Sequence, residues 1–479
     1  MKQIYVNGQF QNATTDEKIQ VVNPATEEFI SEVPKAGEQD VNQAISAAKQ
    51  VQSSWEKKPP VERAEYALSI SRSIKNHKQT LQELLMQEQG KTESMAEAEL
   101  DMTIDYFSYM AGFARHLEGD VIPSDRPNET MMLIKKPIGI VGGVVPWNFP
   151  LMVLARKAAP AIVTGCPVII KPSQETPLTA LKLAEIIHDE VELPAGTFQV
   201  ITGSGSSVGT PLASHPDVAM ISLTGSFAAG SKVMEAAAKH VIKVNLELGG
   251  KAPAIVSDEA DLDLAVEKVI ASRVVNSGQV CTNAERVYVH ENVAEPFIQK
   301  LTEKMSKVSY GNPLAETGLD MGPLINKEQL DSVEQAVNQA VEAGAKVETG
   351  GQKGEASTGY YYEPTVLTNL EEGMDILASE IFGPVLPVDT YQDFDEVIRR
   401  ANASDYGLSS SIFTKNYNEV MRAVNELKFG EVFVNREHFE ALQGFHAGWR
   451  KSGIGGADGK YGIEEFLGTT VAYMEYSTK

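Results

Sequence analysis

The chain has two cysteines, and their surroundings are opposite. Cys281 lies in Asn276-Ser277-Gly278-Gln279-Val280-Cys281-Thr282-Asn283-Ala284-Glu285-Arg286, among small and polar residues, between an expected helix (265–275) and an expected strand (287–290). Small neighbours let a ligand approach, and a thiolate placed there is a nucleophile. Cys166 sits in the apolar run 161–170, where a cysteine behaves as an inert small hydrophobe.

Other stretches carry groups suited to work beside a thiolate. Glu247 ends an apolar strand in Leu246-Glu247-Leu248-Gly249-Gly250-Lys251. Burial would raise its pKa toward the general-base range; a surface ion pair with Lys251 is the alternative. In Pro146-Trp147-Asn148-Phe149-Pro150 an amide stands between two aromatics and two prolines. Proline stiffens the turn, so Asn148 is either a fixed donor or an ordinary helix N-cap. Lys171-Pro172-Ser173 closes a strand, where an ammonium meets a ribose or phosphate, or else only solvent. Two glycine-bearing segments join strand to helix. Gly203-Ser204-Gly205-Ser206-Ser207-Val208-Gly209 is one residue longer than the usual dinucleotide fingerprint, so a plain turn competes with a phosphate loop. In Leu223-Thr224-Gly225-Ser226-Phe227-Ala228-Ala229-Gly230 the Ser226 hydroxyl and backbone N–H groups suit a pyrophosphate. The tail piece Gly453-Ile454-Gly455-Gly456-Ala457-Asp458-Gly459-Lys460 fails the Walker pattern, with Ile454 and Tyr461 at decisive places.

Regular elements must position these groups. Segments 138–145, 168–171, 198–202, 219–223 and 241–247 read as strands, alternating with helices at 151–163, 177–190, 208–214 and 228–240. That alternation predicts an α/β class with a parallel sheet and right-handed crossovers, its ligands at the carboxyl ends of the strands. A second α/β set spans 252–434, with strands at 254–256, 361–367 and 385–391 and helices at 262–275, 293–307 and 327–342. Ahead of both lie a short strand (3–7), turns at 23–26 and two or more helices between 38 and 113. Segment 119–136 is polar and extended, a protruding ribbon, and 471–476 suits a strand.

At 479 residues the chain should divide into two or three domains. Its composition, 42% hydrophobic and 22% charged, is that of a soluble globule. A formal charge of −23 disfavours nucleic acid and anionic membranes as partners. The first eight residues show no apolar signal region and no apolar run is long enough to span a bilayer. Two cysteines at unlike sites fit a reducing compartment, so the expected location is cytoplasmic. No His/Cys cluster has metal-ligand spacing.

Taken together, Pro146 to Pro150, Lys171-Pro172-Ser173, Leu246 to Lys251, Gly278-Gln279-Val280-Cys281 and Glu380-Ile381-Phe382-Gly383-Pro384 resemble the NAD(P)-dependent aldehyde dehydrogenase superfamily, over essentially the whole chain. Gln443-Gly444-Phe445-His446-Ala447-Gly448-Trp449-Arg450-Lys451-Ser452-Gly453 is most similar to its bacterial lactaldehyde/glycolaldehyde branch. The resemblance implies a Rossmann-type cofactor domain (1–116 and 140–245), an α/β catalytic domain (246–458) and a β-ribbon oligomerisation arm (117–139 and 459–479). It implies Cys281 as nucleophile, Asn148 and the Cys281 N–H as oxyanion donors, and Glu247 as the base that activates water. Lys171 would meet the adenosine ribose, Ser226 the pyrophosphate, and Glu380 and Phe382 the nicotinamide ribose. Trp147, Ser173, Gln174 and Gly225 complete the cofactor set. Arg156, Thr282, Glu440 and His446 would lie near a small hydroxyaldehyde; a helix-face ion pair and an ordinary polar loop are the plainer readings of Arg156 and of Glu440 and His446.

Two departures matter. Gln174 stands where many members have a glutamate that repels a 2′-phosphate, with Glu175 one place later. NAD use with NADP tolerance is therefore expected. Thr282 stands where the lactaldehyde branch can carry an amide. The ribbon and final strand, by the same analogy, pair across subunits in a dimer or tetramer. Competing functions are a broad-specificity or semialdehyde dehydrogenase, a CoA-acylating enzyme, a thiol hydrolase and a non-catalytic scaffold. The intact Glu247, Asn148 and cofactor motifs speak against the last three.

Overall fold

The structure, a computed structural model, describes residues 2–477; the extreme ends of the expected first domain (residue 1) and of the expected arm (478–479) lie outside the described residues. The first sheet has eight strands. Lys243–Glu247, Val218–Thr224, Ile140–Val144, Val168–Lys171 and Phe198–Val200 run parallel, in that order across the sheet. Antiparallel strands close its edges: Ile4–Val6 and Gln9–Gln11 on one side, Gly453–Ile454 on the other. Strand residues alternate between two cores, as the pleat requires. Val141, Val168, Ile170 and Met220 face helices Pro60–Asn76, Glu93–Gly112, Pro150–Thr164 and Leu178–Glu190. Ile140, Ile169 and Ile221 face helices Glu38–Glu56 and Phe227–Ala238. Burial on both faces explains why these strands read as apolar runs.

The second sheet has seven strands, in the order Lys346–Thr349, Thr365–Thr368, Val385–Tyr391, Ala284–His290, Ala252–Val256, Ser409–Phe413 and Glu431–Val434. All neighbours are parallel except the first pair. In the third sheet Glu129–Pro137 lies between Asp120–Pro123 and Leu467–Glu475, all antiparallel. The expected ribbon and final strand thus pair with each other inside one chain, and only their outer edges are left for a second copy. A separate hairpin joins Lys18–Val22 to Phe29–Pro34.

Helices and strands of the first α/β set fall where the alternation predicts them, with two differences. The strand expected from 241 begins at Lys243, because Val241 is in a left-handed turn and 90% exposed. The helix expected at 208–214 is a π-turn, Gly205–Gly209, followed by Thr210–Ala213. The extra residue of the G-x-G-x-x-x-G spacing is absorbed by that wide turn, and the Ser204 hydroxyl caps it by accepting from Ser207 N at 2.9 Å. The second set also holds strands Ser409–Phe413 and Glu431–Val434 and helices Phe394–Asn402 and Tyr417–Glu426, which are not among the expected elements.

Helix Pro150–Thr164 is buried at every residue and has no side-chain cap of its own. Its first N–H groups are served instead by Glu99, whose Oε1 accepts from Leu151 N at 2.8 Å and Met152 N at 3.2 Å. Glu88 does the same for helix Leu178–Glu190, accepting from Leu178 N at 2.7 Å and Thr179 N at 2.9 Å; burial pushes its carboxyl up to about 7. Glu99 also pairs with Lys91 at 3.2 Å, both fully buried. Removing one member of such a pair strands the other charge, at a cost of about 3–5 kcal/mol. Glu99→Ala should therefore lower the calorimetric unfolding midpoint by several degrees. Asp101→Ala on the same helix, which loses a surface ion pair with Lys78, should leave it nearly unchanged.

Candidate active site

Cys281 is placed by a strained turn. Helix Leu262–Val274 ends, and Asn276, Ser277 and Gly278 follow with φ of 50°, 58° and 78°. Left-handed backbone at non-glycine residues costs roughly 1–2 kcal/mol each, so the surroundings must impose it. Ser277 Oγ donates to Gly322 O at 2.8 Å. The buried Gln279 amide donates to Asn276 O at 3.0 Å and accepts from Ile325 N at 2.9 Å. At Gly278 any Cβ would collide with the Gly383 carbonyl, so only glycine serves.

The Asn148 amide donates to Gln279 O at 3.0 Å, which fixes its plane and leaves its second hydrogen to the cavity. The backbone carbonyl of Asn148 accepts from Lys91 Nζ and from Asn276 Nδ2. Asn148 is thus no helix cap; Glu99 has that task.

Two cavities meet at Cys281, Asn148 and Thr224. The larger, about 270 Å³, is lined by Trp147, Gly225, Ser226, Glu247, Glu380 and Phe382. Ser226 caps helix Phe227–Ala238 through Ala229 N at 3.3 Å, which opens a helix N-terminus toward this cavity. The Trp147 and Phe382 rings meet edge to face, centroids 5.4 Å apart. Gly249 has no room for a Cβ because the Glu380 carboxyl presses against it, and Gly250 N donates to Glu380 at 2.9 Å. Burial and then Glu285 push the Glu380 carboxyl up to about 8, so it can both donate to and accept from a sugar hydroxyl. Glu285 itself is a buried hub: it takes Arg273 at 2.7 Å, Lys251 at 2.9 Å and the N–H groups of Ile381 and Phe382. It thereby fixes the loop that carries Glu380.

Lys251 is therefore not the partner of Glu247. Burial raises the Glu247 carboxyl, as expected, but Lys157, Arg156 and His446 more than reverse it and hold the group below the usual carboxylate range. The expected upward shift is thus overturned: the site keeps Glu247 ionised. Thr224 Oγ1 donates to it at 2.7 Å and accepts in turn from Lys157 Nζ at 2.9 Å.

The second cavity is lined by Arg156, His438, Glu440, His446, Met152 and Phe149, among others. Arg156 binds Asp458 through two nitrogens at 3.1 and 2.8 Å and Glu440 at 2.8 Å. It is an ion pair and a cavity wall at once. Burial opposes the charge of His446, but Glu431, 3.3 Å from its Nδ1, reverses this and holds the imidazolium well above the ordinary range. Thr282 lines neither cavity: its side chain is buried, and its carbonyl accepts from Ser409 Oγ at 2.8 Å. Its expected place at the substrate is not what the structure shows. Cys281 and Thr282 are the middle of a turn closed by Asn283 N donating to Val280 O at 3.2 Å, and the Thr282 side chain leaves that turn into the protein interior.

Lys171, Ser173 and Gln174 stand at the end of the strand next to that of Trp147 and line neither of these two cavities. Lys171 is no solvated strand end; its ammonium is buried and donates to Pro172 O at 2.6 Å and Gly203 O at 3.0 Å. Glu175 is drawn off toward Asn326. Cys166 is buried at the far end of helix Pro150–Thr164, 3.4 Å from Phe466 O. Among the described residues no cluster of His, Cys, Asp and Glu could hold a metal ion, and no helix is long and apolar enough to cross a membrane.

Lys157, Asp458, Glu431 and Glu285 are site residues the spacing arguments missed. Lys157 had a signal: a charge next to Arg156 inside an apolar helix needs a buried partner.

Burial pushes the Cys281 thiol up, and a hydrogen bond with His446 opposes that shift. Alkylation of the apoenzyme by iodoacetamide should therefore accelerate only at alkaline pH, and in His446→Asn its midpoint should move to higher pH still. A midpoint that stays or falls shows that His446 does not act on the sulfur.

Comparison with known proteins gives a consistent result. Residues 10–472 match the model of the "Aldehyde dehydrogenase family". The chain is 50% identical to lactaldehyde dehydrogenase of Escherichia coli (strain K12), over 98% of each chain. It is 42% identical to 3,6-anhydro-alpha-L-galactose dehydrogenase of Vibrio sp. (strain EJY3), over 99% of each. The crystal structure of the E. coli lactaldehyde dehydrogenase superposes with a TM-score of 0.98, covering 99% of both chains at 50% identity. Among other solved relatives are complexes with NAD and with NADP.

Proposed function

The chain belongs to the aldehyde dehydrogenase family, and from that premise we propose that it oxidises a small 2-hydroxyaldehyde such as lactaldehyde or glycolaldehyde to its carboxylic acid. That it is an oxidoreductase acting on aldehydes with NAD or NADP comes with the family; the substrate class and the residue roles are our reading. One observation carries it: the same sulfur ends a cavity walled by Glu247 and Glu380 and a second walled by Arg156, Glu440 and His446.

Cys281 adds as thiolate to the aldehyde carbon. The oxyanion accepts from the free hydrogen of the Asn148 amide and from the Cys281 backbone N–H, a donor of this kind being worth roughly 10²–10³ in rate. A bound nicotinamide supplies the acceptor for the hydride that leaves that carbon. Glu247 takes a proton from water, whose oxygen attacks the thioester and releases acid and thiolate. Trp147, Gly225, Ser226, Glu380 and Phe382 would hold the nicotinamide half of the cofactor, and Lys171, Ser173 and Gln174 its adenosine end. The capped helix N-terminus for a pyrophosphate and the glycine-backed carboxyl for a ribose suit those groups. Arg156, Glu440 and His446 favour a hydroxylated substrate, because beside an alkyl chain part of their hydrogen-bonding capacity would go unmet.

We assign the first sheet to a cofactor domain (1–116 and 140–245), the second to a catalytic domain (246–458) and the third to an arm (117–139 and 459–479). Strand Gly453–Ile454 crosses that division, lying on the first sheet. The arm exposes Val121, Val471, Tyr473 and Met474 beside open strand edges. Such edges need cover, which supports a homo-oligomer, dimer or tetramer. The two free cysteines at unlike sites support a cytoplasmic location.

Steady-state rates with matched substrates test the substrate class. Lactaldehyde over propanal, and glycolaldehyde over acetaldehyde, should each show at least about tenfold higher kcat/KM; equal values overturn it. Cofactor choice is tested separately. Gln174→Glu should lower the NADP/NAD ratio of kcat/KM by about tenfold or more through like-charge repulsion, and an unchanged ratio would refute the expected role of Gln174.

A further inference from the structure

His438 stands in the wall of the cavity that ends at Cys281 and is 3% exposed. Three contacts fix the residue. Its backbone N–H donates to Ser272 Oγ at 2.9 Å. The ring stacks on Phe433, with centroids 5.4 Å apart and planes 29° from parallel. Nδ1 lies 2.8 Å from the carbonyl oxygen of Thr282. A carbonyl only accepts, so Nδ1 carries the proton and Nε2 keeps a lone pair. Nε2 is buried and, among the described residues, has no hydrogen-bond partner. Burial holds the ring neutral, its pKa pulled down to about 4, so Nε2 is an acceptor throughout the neutral range.

A buried acceptor left without a donor is costly and calls for an explanation. The neighbouring polar groups each have a protein partner, Arg156 in Asp458 and Glu440 and His446 in Glu431 and Cys281, whereas Nε2 has none among the described residues. Thr282, to which the ring is bonded, follows the nucleophile directly in the chain. His438 and Cys281 line the same cavity.

We propose that His438 Nε2 accepts a hydrogen bond from the hydroxyl on the carbon next to the aldehyde, which makes His438 a specificity-determining residue. The proposal rests on the hydroxyaldehyde reading above and deepens it by naming the group that meets the hydroxyl. A simple alkanal offers no donor, so the penalty of the unpaired nitrogen falls on the deoxy substrate alone.

The test is a pair of substitutions assayed with glycolaldehyde against acetaldehyde and lactaldehyde against propanal. His438→Asn keeps an amide near Nδ1 to donate to Thr282 O but removes the unpaired acceptor. His438→Gln places an amide oxygen near Nε2. With Asn, kcat/KM for the hydroxyaldehydes should fall about tenfold, the scale of one hydrogen bond, and stay within about twofold for the alkanals. Gln should restore much of the loss. If the Asn variant loses equally on both members of each pair, His438 is only a brace for Thr282 and the proposal fails. A wild-type preference that survives both substitutions overturns the role of His438 and leaves the substrate class standing. A wild type without preference overturns both.

Discussion

The hydrogen bond from the Asn148 side chain to the Gln279 carbonyl joins the loop after a strand of the first sheet to the turn before Cys281. Everything at the site is set relative to it. One side rests on Lys91 and Glu99, which fix the Asn148 loop and the start of helix Pro150–Thr164. The other rests on the left-handed run at Asn276 to Gly278, which brings the Gln279 carbonyl to the amide. The strain of that run is carried by buried hydrogen bonds from Ser277 and Gln279. Such over-determination is what keeps unusual backbone in place.

Electrostatics follow from the same packing. Helix Pro150–Thr164 is buried throughout, yet it carries Arg156 and Lys157 side by side. Each needs an anion, and they find Asp458, Glu440 and, by way of Thr224, Glu247. The result is an alternating field around Cys281, with Glu247 kept charged on one side and His446 kept charged on the other. Both charges stand ready before any substrate arrives.

Where a local pattern encodes a position, the sequence was readable. Glu247 follows an apolar strand and precedes two glycines, Asn148 is trapped between prolines, and the helices of the first α/β set carry clear apolar spacing. The failures have physical causes. Glu88 and Glu99 cap helices that begin tens of residues further on, and nothing local marks a carboxylate as a distant cap. Asp458, Glu431 and His438 occupy irregular or edge segments without periodicity. Glu247 was expected to rise in pKa because burial was legible and its three cationic neighbours were not. Helix Phe394–Asn402 did have a signal, in Phe394, Val397, Ile398 and Ala401 at helical spacing. Thr282 was misplaced because closeness along the chain is not closeness of side chains.

Strand Gly453–Ile454 seals the edge of the first sheet beside Glu247, pairing Leu246 with Ile454 and Glu247 with Gly453. Arg156 likewise waits for Asp458. During translation the ribosome must therefore emit the chain through Asp458 before that border is shielded and the cationic helix is neutralised. A nascent chain halted in the middle of the second sheet would carry a naked, sticky seam. Completion of the first sheet thus waits for a segment made after the second one, which threads back to strands made long before it.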